Sequence, residues 1–146
     1  MPLIADLLLA LHLLGVMTWV GGMAFAIVVL RPSLAAVPPP ARTALLGEVF
    51  RRFFLVIWHA MPLVLLTGYA MLFGVYGGFA GARWNVHLMH LLGLVMAAIF
   101  LFVFFGPWAA FRRGENAAQV DRIRRLVKAN LLLGLVVIVV AALNGL

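Results

Sequence analysis

The stretch that decides the fold of this chain is LHLLGVMTWVGGMAFAIVVLRP, which runs from Leu11 to Pro32. A helix that crosses a bilayer needs roughly 20 apolar residues, and this stretch with the residues before it exceeds that length. His12 and Trp19 are seven residues apart, which is close to two helical turns, so both side chains share one face of the predicted helix. An imidazole beside an indole does not suit a lipid-facing surface, and this face is therefore predicted to point into a helix bundle.

The composition of the whole chain indicates a membrane protein. Hydrophobic residues make up 66% of the 146 residues and charged residues only 10%, whereas soluble domains average about a quarter charged residues. Four apolar runs reach or approach the length of a bilayer crossing. The sequence predicts an all-α integral membrane four-helix bundle, with one domain over residues 1–146 and transmembrane helices at about 4–30, 53–76, 86–105 and 129–146. The first run lacks the basic segment that precedes a cleavable signal, so it is expected to stay in the protein.

Prolines and glycines mark the predicted helix ends. Pro32 is expected to end the first helix because it cannot continue the backbone hydrogen-bond ladder. After the turn at residues 38–40, a short amphipathic helix is predicted to lie along the membrane surface before the second run. Pro62 is expected to kink the second helix, and Gly106-Pro107 to bend or end the third. A polar helix is predicted to lead directly into the fourth run.

The basic residues are unevenly distributed between the loops. Ten of the 11 Lys and Arg residues lie between the first and second runs or between the third and fourth, and Arg83 is alone in the middle loop. The positive-inside rule places the basic side in the cytoplasm. Both termini are therefore predicted on the outer, periplasmic side of a bacterial inner membrane. The net charge of +7 is explained by topology and anionic lipid headgroups, and no nucleic-acid partner is expected.

The residues available for chemistry are limited by the absence of cysteine. This absence excludes disulfides, thiolate zinc sites, iron–sulfur clusters and covalent c-type haem attachment. Ionisable groups at membrane depth usually face a cavity or a partner, and the four histidines lie in or at the ends of apolar runs, at His12, His59, His87 and His90. For each of them, a hydrogen bond to a neighbouring helix is the alternative to a role as a metal ligand.

The depths of the histidines indicate which of them pair. A rise of about 1.5 Å per residue places His12 about 12 Å below the outer surface and His90 about 6–9 Å below it. His87 is one turn nearer the outer surface, whereas His59 is about 9 Å above the inner surface. A b-type haem needs two neutral histidines from facing helices. His12 and His90 are therefore the predicted axial ligands of a haem iron, with His87 or His59 as alternatives.

Other residues of the first helix are assigned to the same site. Gly15 and Gly22 are expected to let the macrocycle approach the backbone, and Trp19 to contact it. Close helix packing is the alternative for the glycines, and core packing is the alternative for Trp19. Seven methionines leave copper open as a second cofactor, because thioether and imidazole ligands suit Cu(I).

The pattern His12-x6-Trp19-x-Gly21-Gly22-x2-Phe25 resembles the first helix of the bacterial membrane-bound, haem-containing protoporphyrinogen oxidases of the HemJ type. It also resembles the CopD-type copper-resistance membrane domain, where a Trp followed by Gly-Gly opens a similar helix. RRFFLVIWHAMPLVLLTG, at residues 51–68, is similar to the second helix of both families in its basic start and its Thr-Gly end. VHLMHLLGLVM and RRLVKANLLLGL lie where both families have their third and fourth helices.

The two resemblances imply different functions. The oxidase resemblance implies a b-type haem bound through His12 and porphyrinogen oxidation at the membrane. The chain departs from that family because no lysine closely follows the third-helix histidine, and because only Asn130 remains of an Asn-Glu-Pro motif. The copper-resistance resemblance implies copper handling.

The functional prediction is a membrane protein that binds haem b and acts in redox chemistry or electron transfer, with porphyrinogen-oxidase-like activity as one form. A quinone, a porphyrin or a redox protein would be its partner in the lipid bilayer. The alternatives are a CopD-type copper-handling protein and a cofactor-free membrane subunit or scaffold. Self-association into a homo-oligomer stays open.

Overall fold

The computed structural model describes residues 2–114 and 116–143. Within these ranges every regular element is helical, and four helices are long and apolar enough to cross a membrane. We call them span 1 (Leu3–Ala36), span 2 (Pro39–Gly74), span 3 (Trp84–Arg112) and span 4 (Ala118–Ala142). The predicted all-α architecture of four membrane helices is confirmed.

Span 1 continues past Pro32, contrary to the prediction from the sequence. It is an α-helix over Pro2–Ala24, a π-helix over Phe25–Leu30, an α-helix again over Arg31–Ser33 and a 3-10 turn over Leu34–Ala36. Pro32 is the second residue after the π-helix, where the hydrogen-bond register has already shifted. A residue without a backbone N–H is tolerated there, because it removes a donor whose usual acceptor is no longer in register.

Span 2 is one uninterrupted α-helix from Pro39 to Gly74. The segment predicted as a separate surface helix forms its first turns instead. Pro39 and Pro40 occupy the helix start, where a missing N–H leaves no hydrogen bond unmade. Glu48 pairs with both Arg51 and Arg52 one turn later, and such pairs support the helix across this segment.

Span 3 also continues through a break that the sequence predicts, and span 4 continues the predicted polar helix. Span 3 is an α-helix over Trp84–Val103, a π-helix over Phe104–Trp108 and an α-helix over Ala109–Arg112. Pro107 lies inside the π-helix, so the Gly106-Pro107 pair changes the winding of span 3 and does not end it. A single α-helix over Asn116–Ala142 joins the predicted polar helix to span 4. The predicted end of the fourth helix at residue 146 lies outside the described residues.

The four spans share one core. Spans 1 and 2 pack along each other, as do spans 3 and 4, and span 1 also contacts span 4. Each span contributes buried side chains to a single cluster, among them Trp19, Ile57, Phe100 and Val127. Large apolar side chains on the outside of the bundle are exposed, among them Leu7, Leu66, Phe105 and Val139. This exposed apolar surface is what a bilayer covers.

Spans 2 and 3 are joined by a tight glycine-rich turn. Gly77 and Gly78 have φ angles of 70° and 96°, a backbone region that favours glycine. A 3-10 turn over Phe79–Gly81 follows, and it brings Phe79 to the start of span 3. This turn closes the end of the bundle at which His12, His87 and His90 lie.

Candidate metal site at the His12 end of the bundle

His12 is held by span 2. Its Nδ1 atom is 3.0 Å from Oγ1 of Thr67. The Thr67 hydroxyl lies 2.6 Å from the carbonyl oxygen of Leu63 and 3.2 Å from that of Val64, so its one proton is donated to its own helix. The Thr67 oxygen therefore accepts a hydrogen bond from the Nδ1–H group of His12. This arrangement selects the tautomer in which Nε2 carries the free lone pair.

Gly68 provides the space that the His12 ring occupies. A Cβ atom at Gly68 would lie 3.3 Å from Cε1 of His12, closer than an ordinary van der Waals contact. Thr67 and Gly68 thus act on the same ring, one by a hydrogen bond and the other by leaving room. Reasoning from the sequence identified this Thr-Gly pair only as a family likeness and assigned no role to Thr67. The signal that could have identified Thr67 in the sequence was a hydroxyl residue next to a glycine, at the same predicted depth as His12.

His90 reaches the same region from span 3. The imidazoles of His12 and His90 are near enough to interact electrostatically. The His90 ring contacts Tyr69 edge-on, with ring centroids 4.5 Å apart, and it contacts Phe79 with centroids 5.9 Å apart. Two histidines from different spans therefore lie near each other, with aromatic rings around one of them. Whether both bind one metal ion stays a prediction.

The other two histidines have more exposed positions. His87 stacks on Phe79, with ring centroids 6.0 Å apart and an interplanar angle of 15°, and it interacts electrostatically with His90. His59 is exposed, and its Nδ1 atom lies 2.8 Å from the carbonyl oxygen of Leu55 in its own helix. The His59 ring thus meets its hydrogen-bonding need within span 2.

Gly15, Gly22 and Trp19 take part in packing. A Cβ atom at Gly15 would lie 2.7 Å from Cγ2 of Val64, and one at Gly22 would lie 3.3 Å from Cε2 of Phe53. Val64 therefore fills the space beside Gly15, where the sequence predicts a macrocycle, and Phe53 lies against one side of Gly22. Trp19 is 3% exposed and belongs to the core shared by the four spans. A role of these three residues in binding a cofactor stays a prediction.

The side chains available here to bind a metal ion are two imidazoles. Within residues 2–114 and 116–143, no three His, Asp or Glu side chains lie close enough together to hold one metal ion. Structural zinc sites use four protein ligands and catalytic ones use three. An imidazole pair suits haem iron, whose remaining ligands come from the porphyrin, or copper in a low coordination number.

Comparison with known proteins identifies the family. The copper resistance protein D (CopD) family matches residues 47–144, more than half of the chain. The match includes most of span 2 and all of spans 3 and 4, with Thr67 and His90, while His12 precedes it. No curated protein and no solved structure matches the chain. With four membrane-spanning helices and this match, the chain is a multi-pass membrane protein and belongs to the copper resistance protein D family.

Proposed function

We propose that this protein binds copper as Cu(I) within the membrane, through His12 and His90. The observation that carries the proposal is the approach of two imidazoles from different spans, one of which is oriented by Thr67. Membership of the copper resistance protein D family supports copper as the metal.

The hydrogen bond between His12 and Thr67 suits a metal ligand. Metal-binding histidines almost always donate their second ring N–H to a neighbouring acceptor, which sets the tautomer and the ring orientation. In His12 the Nδ1–H group is used in this way, so Nε2 is the ligand atom. Imidazole nitrogen is a suitable donor for copper.

The surroundings of the site favour a monovalent ion. Moving an ion out of water costs free energy that increases steeply with its charge. His12 and His90 lie in apolar helices, and carboxylates do not join them in a group of three within the described ranges. Cu(I) with two neutral imidazoles places one positive charge there, whereas Cu(II) or Zn(II) would place two.

We also propose that the site faces the periplasm of a bacterial inner membrane. The basic residues cluster around the ends of spans 1 and 3 and the starts of spans 2 and 4, and the positive-inside rule assigns that side to the cytoplasm. His12 and His90 lie towards the opposite end of the bundle. Copper would then enter or leave the site from the periplasm.

Copper binding by the purified protein tests this proposal. The wild type, loaded with Cu(I) under reducing conditions, is expected to retain copper against a chromogenic Cu(I) chelator. His12→Ala and His90→Ala should each weaken binding at least tenfold, because each removes one of two ligands. His59→Ala is the matched control, since its ring is exposed and bonded to its own helix. Equal copper retention by all four proteins would contradict the proposal.

Haem b is the second candidate cofactor, because the same imidazole pair on different helices would also supply two axial ligands. The ligand pair fits this group, although Val64 of span 2 closes the face of span 1 beside Gly15. A bound haem would supply electron-transfer chemistry. A Soret band that sharpens on dithionite reduction and disappears in His12→Ala would favour haem over copper. Protein with neither copper nor a Soret band would indicate a cofactor-free membrane subunit.

A further inference from the structure

A groove of about 400 Å³ lies between spans 1 and 2, at the end away from His12. Span 1 lines it with Gly22, Ala26 and Leu30, and span 2 lines it with Val49, Phe53 and Val56. The span 1 residues follow one another at intervals of four, so they share one face of the helix. The two smallest of them, Gly22 and Ala26, give the groove its depth. The groove does not include His12 or His90, so it is separate from the proposed metal site.

The π-helix of span 1 forms one wall of this groove. None of the residues from Phe25 to Leu30 is buried, and Phe25, at the edge of the groove, is 58% exposed. π-helical turns are rare and often occur at functional sites. The groove therefore opens towards the lipid side of the bundle, next to an irregular part of the helix.

The length of the groove matches one leaflet of a bilayer. Thr18 and Leu30 both line it, and the α-helical rise of 1.5 Å per residue, which is smaller in the π-helix, separates them by about 16–18 Å along span 1. The hydrocarbon core of a bilayer is about 30 Å thick, so one leaflet contributes about 15 Å. An acyl chain of that leaflet can therefore lie along the whole length of the groove.

The end of the groove nearest the start of span 2 is positively charged. Arg52 lines the groove, and its Nε atom is 2.6 Å from Glu48. Glu48 also pairs with Arg51 at 2.8 Å, so two guanidinium groups share one carboxylate and the three charges sum to +1. The Arg52 side chain is 73% exposed, and its remaining N–H groups can reach a phosphate oxygen.

We propose that this groove binds an anionic glycerophospholipid, with one acyl chain between spans 1 and 2 and the phosphate at Arg52. The apolar walls and the length suit the chain, and the positive charge at the end suits the headgroup. A zwitterionic lipid offers the same chain, but its cationic headgroup would meet the net positive charge around Glu48. Phosphatidylglycerol should therefore bind better than phosphatidylcholine.

Native mass spectrometry of the full chain in detergent tests the headgroup part of this proposal. Wild-type protein is expected to retain phosphatidylglycerol in preference to phosphatidylcholine when both are added. Arg52→Gln should lower this preference about fivefold, the effect of one basic side chain near a membrane surface. Arg125→Gln removes an exposed charge from span 4 and should leave the preference unchanged. An equal effect of the two substitutions would overturn the proposal.

A second pair of variants tests the groove itself. Ala26→Phe fills the groove and should abolish retention of the added phosphatidylglycerol. Val29→Phe adds the same side chain at an exposed position in the same π-helix and should retain it, while circular dichroism shows equal helix content for both. Unchanged lipid retention in Ala26→Phe would refute the groove as the lipid site. A dimer mass that Ala26→Phe removes would assign the groove to a second copy of this chain instead.

Discussion

Replacing Thr67 by valine removes the hydroxyl group that orients His12 and keeps the branched shape of the side chain. Thr67 is 5% exposed, and its oxygen lies 3.0 Å from Nδ1 of His12. In the variant the Nδ1–H group loses the Thr67 hydroxyl as an acceptor, so the ring is held less firmly and Nε2 is less well oriented as a ligand. Loss of such an outer partner typically lowers metal affinity 10–100-fold. We expect the affinity of Thr67→Val for Cu(I) to fall by about one to two orders of magnitude.

The stability of the protein should change much less than its affinity. Hydrogen bonds between membrane helices contribute about 0.6 kcal/mol on average, and valine leaves no cavity at position 67. Thr67→Ser is the matched control, because it keeps the hydroxyl group and loses only a methyl group. It should recover most of the copper affinity, and both variants should keep the helix content of the wild type.

Competition with a chromogenic Cu(I) chelator under anaerobic conditions measures the affinity, and nitrogen NMR of labelled histidine reports the His12 tautomer. The wild type should show the Nδ1–H form, and Thr67→Val should show a mixture of tautomers. Wild-type affinity in Thr67→Val would refute the reasoning. An equal loss in Thr67→Ser would also refute it, because the methyl group rather than the hydroxyl group would then be responsible.

Two further predictions concern the packing and the orientation of the spans. Gly15→Ala places a Cβ atom 2.7 Å from Cγ2 of Val64 and should destabilise the bundle by about 1–3 kcal/mol in detergent unfolding. Gly21→Ala, which meets nothing within 4 Å, should be neutral or slightly stabilising, and the reverse order would contradict the packing. Because the chain contains no cysteine, Ala80→Cys should react with a membrane-impermeant maleimide in intact cells. Ala36→Cys should react only after lysis, and the opposite labelling would invert the proposed orientation.

The number of helices follows from the sequence because membrane helices are recognised by length and hydropathy, which are properties of each segment alone. Their ends are harder to predict. Pro32 and Pro107 are helix breakers by local rules, yet spans 1 and 3 continue through both of them beside or within π-helical turns. Inside a bilayer an interrupted helix would leave backbone groups without hydrogen-bond partners. A π-helical turn near the proline is therefore favoured over the end of the helix.

The candidate site, like the fold, could be predicted from the sequence only in part. Depth along each helix selects His12 and His90 as possible partners, and the structure brings these two imidazoles near each other. Depth does not give rotation about the helix axis. The outward position of His59 and the hydrogen bond from His12 to Thr67 both depend on that rotation. Thr67 was missed for this reason, because its hydroxyl becomes meaningful only when span 1 lies against it.

The sequence by itself determined that this protein is an all-helical membrane protein with four spans, that it has no thiol chemistry, and that its histidines are the candidate ligands. These conclusions depend on sums of local properties, namely apolar length, charge in the loops and residue type. Only the tertiary structure decided which histidines lie near each other, that Val64 fills the space beside Gly15, and that a groove remains beside Gly22. Those features depend on how neighbouring spans rotate and pack against each other, because the contacts of one helix face are set by the side chains of another span.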